Sequence, residues 1–223
     1  MKFDYPEMST VPVKGMRFYE SPDGRFYPSI TTVLGLTVPE EKKKSLEAWR
    51  TSLGAAKADK KTKDAADNGT AMHLLIERYL KGEDLFQGET FTQENLNYFN
   101  ALKMKLKKID EVWGQEVPLV SHLLELAGRC DCIGLYKGVP SIIDFKTSLS
   151  LKSKDKIEDY YLQLCAYSIM HNETYNTDIS HGVILMSSNG GFPQEFHVNL
   201  LDYVEPLIQR VDEFYQQLDK KLQ

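Results

Sequence analysis

Three consecutive segments with strand character occupy the middle of the chain and constrain its fold more than any other feature. Lys137-Gly138 between the last two is typical of a tight turn. Because such a turn joins neighbouring antiparallel strands, the three segments predict a meander within one sheet. They are Val117–Val120, Leu123–Tyr136 and Val139–Thr147.

Helical periodicity dominates on both sides of this meander. Helices are predicted from about Pro39, over Thr70–Lys81, Gln93–Val112 and Ile157–His171, and from Asn199 to about Leu222, with Pro206 kinking the last helix or marking its start. Further strands are predicted at Gly182–Ser187 and Gln194–Val198, and as a hairpin of Met16–Tyr19 and Arg25–Tyr27 around Ser21–Gly24. This order is typical of the α/β (α+β) class. We expect one domain, 1–223, with an N-terminal hairpin and helical part over about 1–111 and a sheet core over about 112–223.

Charge and composition narrow the function classes. The chain has 223 residues and a net charge of −5, from 27 basic and 32 acidic side chains. This balance speaks against a protein that coats nucleic acid nonspecifically, but it allows an enzyme with one basic channel. The N-terminus lacks an apolar signal segment and no apolar run is long enough to span a bilayer, so we expect a cytoplasmic protein without a membrane partner.

The three cysteines, Cys130, Cys132 and Cys165, are too few for an ordinary iron–sulfur site, which needs four thiolates. Their spacing is also not the usual zinc spacing. We therefore expect buried free thiols in a reducing compartment and no iron–sulfur cluster.

Asp144 and Lys146 form the first candidate site. Side chains alternate along a strand, so these two share one face while Ile143 and Phe145 share the other. A carboxylate and an ammonium side by side can bind a metal and hold a water molecule. The alternative is a surface ion pair on an edge strand.

Asp131 adds a second carboxylate on the preceding strand, where a short turn would bring it beside Asp144. Two such carboxylates repel each other unless a cation or a proton lies between them, and carboxylate oxygens suit Mg²⁺. The alternative is a structural ion pair of Asp131 with Arg129 or Lys146. The combination of Asp131, Asp144 and Lys146 would occur by chance less often than any one of these residues alone.

Two helical pairs complete the candidates. His73 and Glu77 lie one turn apart and share a face, and so do Gln163 and Tyr167. The first pair could reach a metal, and the second could contact a phosphate or a base. Each pair also fits an ordinary amphipathic helix.

Taken in order, these residues resemble the RecB-like branch of the PD-(D/E)xK nucleases. The closer likeness is to the mitochondrial genome maintenance exonucleases and related phage exonucleases. The resemblance extends from about Arg25 to the strand at Val183–Met186. It is carried by Tyr27–Leu34, Ala48-Trp49-Arg50, Gly69-x-x-x-His73-x-x-x-Glu77, Gly128-x-x-Asp131, Ile143–Ser148 and Gln163-x-x-x-Tyr167.

The resemblance implies a restriction-endonuclease-like core, a central mixed sheet flanked by helices, with an N-terminal helical elaboration. It implies metal ligation of Mg²⁺ or Mn²⁺ by Asp131, Asp144, the Phe145 carbonyl and His73. It gives catalytic roles to Lys146, which orients the attacking water, to Gln163, and to Glu77 as a supporting or second-metal carboxylate. Glu116 matches an acidic residue of an early strand. DNA contacts are expected from Tyr167, Thr147, Ser148, Lys103, Lys107, Trp49 and Arg50.

The implied activity is metal-dependent hydrolysis of phosphodiester bonds in single-stranded DNA with a free end, by a monomer. The setting would be phage or bacterial DNA replication, recombination or repair, in the host cytoplasm if phage-encoded. A structure-specific endonuclease and a non-catalytic DNA-binding recombination factor are the alternatives. From the residues alone, the lysines and aromatic side chains of the N-terminal helices fit a single-strand channel or an ordinary solvated face equally.

Overall fold

A computed structural model describes residues 2–188 and 191–222 of the chain. Its N-terminal part begins with a small antiparallel sheet of β1 (Thr10–Val13), β2 (Met16–Glu20) and β3 (Phe26–Pro28). The hairpin of β2 and β3 confirms the prediction for this region. Strand β1 is not predicted from the sequence; it is short and mostly exposed, and Pro12 interrupts it.

Within the described residues, five strands form the central sheet, in the order β4-β5-β6-β7-β8. Only β6 and β7 pair in parallel; the other neighbours are antiparallel. This arrangement confirms the predicted central mixed sheet. The strands are β4 (Ile109–Ser121), β5 (Leu126–Tyr136), β6 (Val139–Ser148), β7 (His181–Ser188) and β8 (Phe192–Asn199).

Helices cover both faces of this sheet, which confirms the α+β class. They are α1 (Ile30–Leu36), α2 (Glu40–Leu53), α3 (Ala55–Lys81), α4 (Gln93–Leu106), α5 (Glu158–Tyr175) and α6 (Val204–Leu222). Strand alternation divides the core into two layers. Ile142 and Ile184 pack with α1, α5 and α6, whereas Ile143 and Val183 pack with α3 and α4.

The predicted helix Gln93–Val112 is wrong over its last residues. Helix α4 ends at Leu106, and Ile109–Val112 begin β4 by pairing with the end of β5. Ile109 and Val112 are three residues apart, a spacing that fits a helix face as well as a strand end. The partner strand decides between the two structures.

Helix α3 begins 15 residues before the predicted start at Thr70. Residues 55–69 have little apolar periodicity, and Ala58 is the only buried residue described there. The helix predicted from about Pro39, with a continuation through the lysines up to Lys63, is divided at Gly54 into α2 and α3. Alanine and lysine favour helix without needing a core-facing stripe. Helix α2 likewise has no buried residue.

The predicted Lys137-Gly138 turn between β5 and β6 is confirmed, whereas Asn199 does not cap the last helix directly. Lys137 and Gly138 have φ of 51° and 77°, the left-handed values that a two-residue hairpin turn requires. Asn199 caps a short 3₁₀ turn, Leu200–Tyr203, and α6 starts after it, so Pro206 lies in the first turn of the helix. Across residues 2–188 and 191–222, we find no helix with the length and apolar content to cross a membrane.

Glu195 on β8 is surrounded by cationic side chains on the sheet face that carries α4. Its carboxylate lies 2.8 Å from Lys105, 2.6 Å from Lys108, 3.0 Å from Lys137 and 2.9 Å from His197. Burial raises the pKa of Glu195, but the hydrogen bonds from these four groups lower it more, so the net shift is downward.

We expect Glu195→Gln to lower the free energy of unfolding by about 1–3 kcal/mol near neutral pH. Because its pKa is lower in the folded chain than in the unfolded chain, the Glu195 carboxylate stabilises the fold at pH values above its unfolded-state pKa of about 4.3. This stabilisation is lost as the pH falls toward the folded-state pKa. Thermal unfolding midpoints of wild type and variant should therefore converge in acid. Glu111→Gln, an exposed change on β4, is the control. A difference that stays constant with pH would contradict the ion-pair explanation.

Candidate active site

The site lies where β5 and β6 separate. Their ladder ends at the pair Cys132–Ile143, and beyond it Asp144–Ser148 pair only with β7. The Asp131 side chain enters this opening and its Oδ2 accepts a hydrogen bond of 2.9 Å from the backbone N–H of Phe145. The fork thus brings Asp131 beside the strand segment that carries Asp144 and Lys146.

Glu116 joins Asp131 from the neighbouring strand β4. The residues on either side of it pair with Cys132 and Cys130, so Glu116 lies opposite Asp131. Its φ is 49°, a left-handed conformation that is uncommon for a non-glycine residue and recurs at functional sites. Two carboxylates facing each other across a ladder repel unless a positive charge compensates them.

His73 of α3 supplies an imidazole to these carboxylates. Its Nε2 donates to the carbonyl oxygen of Phe145 at 2.8 Å, which fixes the ring orientation. Nδ1 then lies 3.7 Å from a carboxylate oxygen of Glu116 and 3.7 Å from one of Asp131. One ligand atom from each of His73, Glu116 and Asp131 lies within 4.8 Å of the others.

The pKa of His73 reflects this environment. Burial lowers it, but the negative charges of Asp131 and Glu116 outweigh burial and raise the pKa to about 9. A proton on His73 therefore compensates the carboxylates, and a metal cation would fill the same electrostatic role.

Asp144 and Lys146 form a buried pair on the α5 side of β6. The Lys146 Nζ donates to Asp144 Oδ1 at 2.6 Å. Burial raises the pKa of Asp144 to about 7, although Lys146 lowers it in part. Burial lowers the pKa of Lys146, but the charges of Asp144 and Asp131 outweigh it, so the net shift is upward.

The second carboxylate oxygen of Asp144, Oδ2, indicates whether the site suits a metal ion. Oδ2 is buried and has no hydrogen-bond partner among residues 2–188 and 191–220. An unpartnered buried carboxylate oxygen is costly unless something outside the chain compensates it. Together with the facing carboxylates of Glu116 and Asp131, it fits a divalent cation such as Mg²⁺ or Mn²⁺, which prefer carboxylate ligands.

Helix α5 forms the floor of the site. Gln163 Nε2 donates to the hydroxyl of Tyr167 at 3.0 Å, and both side chains are buried. From the same helix, Tyr160 lies under Lys146, whose Nζ is 5.0 Å from the centre of the Tyr160 ring. Sequence reasoning missed Tyr160, although its position three residues before Gln163 places it on the same helix face.

The Tyr167 side chain is buried and its ring packs against Gly128. A Cβ at Gly128 would lie 2.6 Å from Cε1 of Tyr167. Tyr167 also lines a neighbouring cavity, and its contact with DNA stays a prediction.

Other predicted site residues lie around this centre in different ways. Glu77 is one helical turn from His73, but its carboxylate pairs with Lys81 at 2.6 Å. Thr147 faces α3, 3.7 Å from where a Cβ of Gly69 would lie. The Ser148 hydroxyl donates to the Ser150 carbonyl at 2.6 Å within the loop that follows β6.

The predicted DNA-binding residues of the helical part do not join the cluster of His73, Glu116 and Asp131. Trp49 is partly exposed on α2, and Arg50 pairs with Asp59 of α3 at 2.6 Å. Lys103 lies over the ring of Phe99, 5.0 Å from its centre, and Lys107 is exposed at the end of α4. Their roles in DNA binding stay predictions.

Comparison with known proteins finds no matching protein-family model. Among individual proteins, the chain is similar to mitochondrial genome maintenance exonuclease 1 of Mus musculus, with 29% identity over 180 residues, covering 76% of this chain and 52% of the relative. The same protein of Xenopus tropicalis is 28% identical over 179 residues, covering 76% and 51%, and that of Homo sapiens is 25% identical over 179 residues, covering 76% and 52%.

A crystal structure from Eubacterium rectale, provisionally named an exonuclease, aligns with a TM-score of 0.46 and 15% identity, over 67% of this chain and 66% of that one. This likeness is too weak to carry an argument. The chain spans about half the length of the mitochondrial relatives it matches. The resemblance to the mitochondrial genome maintenance exonucleases is therefore confirmed as a sequence similarity that extends over about three quarters of this chain.

Proposed function

We propose that the chain is a divalent-metal-dependent DNA exonuclease that hydrolyses phosphodiester bonds of single strands from a free end. The observation that carries this proposal is the fork between β5 and β6. It holds two facing carboxylates and an imidazole beside a buried Asp144–Lys146 pair with one unpartnered oxygen. The exonuclease relatives support the same reaction class.

The cation would be held by Glu116, Asp131 and His73, whose ligand atoms lie within 4.8 Å of one another, and Asp144 with its unpartnered Oδ2 would be a further ligand from β6. When bound, it supplies charge that polarises the phosphate and lowers the pKa of a neighbouring water. This ligand set differs from the one that the sequence resemblance implied, because Glu116 takes a direct part and the Phe145 carbonyl accepts from His73.

The Lys146 ammonium supplies a positive charge at a fixed position in the site. Asp144 holds its Nζ at 2.6 Å and Tyr160 covers it, so little water screens its charge. A positive charge placed in advance in a partly desolvated site stabilises the negative charge that grows on the phosphate in the transition state. Gln163, whose Nε2 donates to the Tyr167 hydroxyl at 3.0 Å, lies on the same helix face as Tyr160.

The N-terminal helices support binding of a single strand. Residues 40–67 carry eight basic and six acidic side chains, a positive excess in a chain whose net charge is −5. Helix α2 buries no residue. Lys42, Lys43 and Arg50 of this helix form ion pairs within the chain, and Lys44 is exposed and forms no ion pair with the described residues. Positive charge that follows a backbone, with aromatic side chains that stack on bases, is how single strands are bound without sequence preference.

Digestion of end-labelled linear and circular single strands tests the proposal. We expect loss of the linear strand with Mg²⁺ or Mn²⁺, protection of the circle, and no cleavage in EDTA. Efficient cutting of the circle would replace the exonuclease by an endonuclease. Absence of cleavage with either metal, despite strand binding, would leave a DNA-binding module.

A separate measurement tests the metal ligands. We expect Glu116→Gln to weaken Mn²⁺ binding by at least about tenfold, since loss of groups that only support a ligand already costs this much. Isothermal titration calorimetry without DNA measures the effect. Glu111→Gln makes the same chemical change on the same strand at an exposed position. Equal Mn²⁺ affinity of the Glu116 variant and wild type would remove Glu116 from the ligand set.

A further inference from the structure

A cavity of about 410 Å³ opens beside the metal cluster. Its lining includes Glu116 and Asp131 of the sheet and Gln163 and Tyr167 of α5. Arg17 of β2 and Thr31 at the start of α1 line it as well. Its volume lies within the roughly 300–1,000 Å³ typical of small-ligand sites.

Two arginines line this cavity without a carboxylate partner. Arg17 donates through Nη2 to the Thr31 hydroxyl at 2.7 Å, and Arg129 donates through Nη1 to the carbonyl oxygen of Glu116 at 2.9 Å. Ion pairs of arginine in the described part of the chain involve Arg25, Arg50 and Arg210 instead. Both cavity arginines are exposed, with donors left over for an anion.

We infer that this cavity binds the nucleotide next to the scissile phosphate, and that Arg17 and Arg129 contact its backbone phosphate. The inference rests on the proposed function, because it takes the cluster of Glu116 and Asp131 as the place of cleavage. Guanidinium groups match phosphate oxygens in charge and geometry. Unless a cation is bound, the carboxylates of Glu116 and Asp131 repel an anion, so the phosphate is directed to the two arginines.

The Arg17 side chain is accessible to substitution without loss of the fold. The local structure around Arg17 depends on its backbone, whose carbonyl accepts from Ser29 N–H at 2.9 Å and whose N–H donates to Thr32 Oγ1 at 3.3 Å. Removing the side chain leaves both hydrogen bonds in place. Arg25, which directly precedes β3 of the same small sheet, pairs with Asp23 and lies outside the cavity, so it is the matched control.

Binding of a fluorescent single strand in EDTA, measured by anisotropy over a range of salt concentrations, tests the inference without cleavage. We expect Arg17→Ala and Arg129→Ala each to weaken binding about tenfold. Each should also make the slope of log affinity against log salt shallower by about 0.7, the value for one lost contact to a single-strand phosphate. Arg17→Lys should keep the slope because it keeps the charge, and Arg25→Ala should match wild type.

Kinetics separate this inference from the proposed function. With metal, Arg17→Ala should raise KM about tenfold and leave kcat unchanged, as for a contact made equally in the ground and transition states. If wild type cleaves DNA but both cavity variants keep its affinity and salt slope, or Arg25→Ala shows the same loss, the cavity assignment is overturned. If wild type does not cleave while the arginine-dependent slope is found, the phosphate site stands and the hydrolytic function fails.

Discussion

Asp144→Asn is expected to abolish DNA cleavage while leaving the fold and strand binding intact. Charge stabilisation by a metal contributes several kcal/mol to such a reaction, so we expect a fall of about a thousandfold or more in kcat. The amide keeps the shape of the carboxylate, and its oxygen can still accept from Lys146. Because burial raises the pKa of Asp144 to about 7, the charged form is costly in the folded state. The neutral variant should therefore unfold in EDTA at a temperature no lower than wild type.

Three measurements decide this prediction: kcat with Mg²⁺, strand affinity in EDTA, and the thermal unfolding midpoint in EDTA. Asp178→Asn, the same change at an exposed position before β7, should leave all three near wild type. Cleavage by Asp144→Asn within tenfold of wild type would remove Asp144 from the catalytic centre. A variant that is inactive because it is unfolded would show a lower midpoint, and this would contradict the burial argument.

The fold class follows from the sequence because its decisive signals are local. Alternation along β6 sends Ile142 and Ile143 to opposite layers, and the Lys137-Gly138 turn fixes the pairing of β5 with β6. Hydrophobic periodicity does not predict a segment whose structure depends on pairing with a distant strand, or a helix that has almost no buried face. Residues 109–112 become strand only because β5 pairs with them, and residues 55–69 form helix with almost no buried face.

The candidate site is predictable to a similar extent. Strand alternation brings Asp144 and Lys146 to one face, and the helical spacing of His73 and Glu77 is visible in the sequence. The orientation of Glu116 cannot be predicted from the sequence, because its position opposite Asp131 depends on a left-handed backbone conformation within β4. The separation of β5 from β6 is equally invisible, since it arises from sheet topology rather than from residue type.

Gly128→Ala is expected to impair both stability and cleavage, because α5 packs directly on this glycine. An added Cβ would lie 2.6 Å from Cε1 of Tyr167 and 3.3 Å from Cγ2 of Ile30. Tyr167 is buried and bonded to Gln163, so it cannot move aside without disturbing the floor of the site. Overpacking of this kind costs about 1–3 kcal/mol. In a chain of this size, that corresponds to a fall of roughly 2–12 °C in the unfolding midpoint.

A double-mutant cycle identifies the contact responsible. If the Tyr167 ring causes the damage, Gly128→Ala should cost less stability in a Tyr167→Ala background than in wild type. Gly35→Ala is the control, because no heavy atom lies within 4 Å of its added Cβ and alanine favours helix α1. That variant should be as stable as wild type or more so. An equal loss of stability from Gly128→Ala in both backgrounds would show that packing against Tyr167 is not the reason that this position requires glycine.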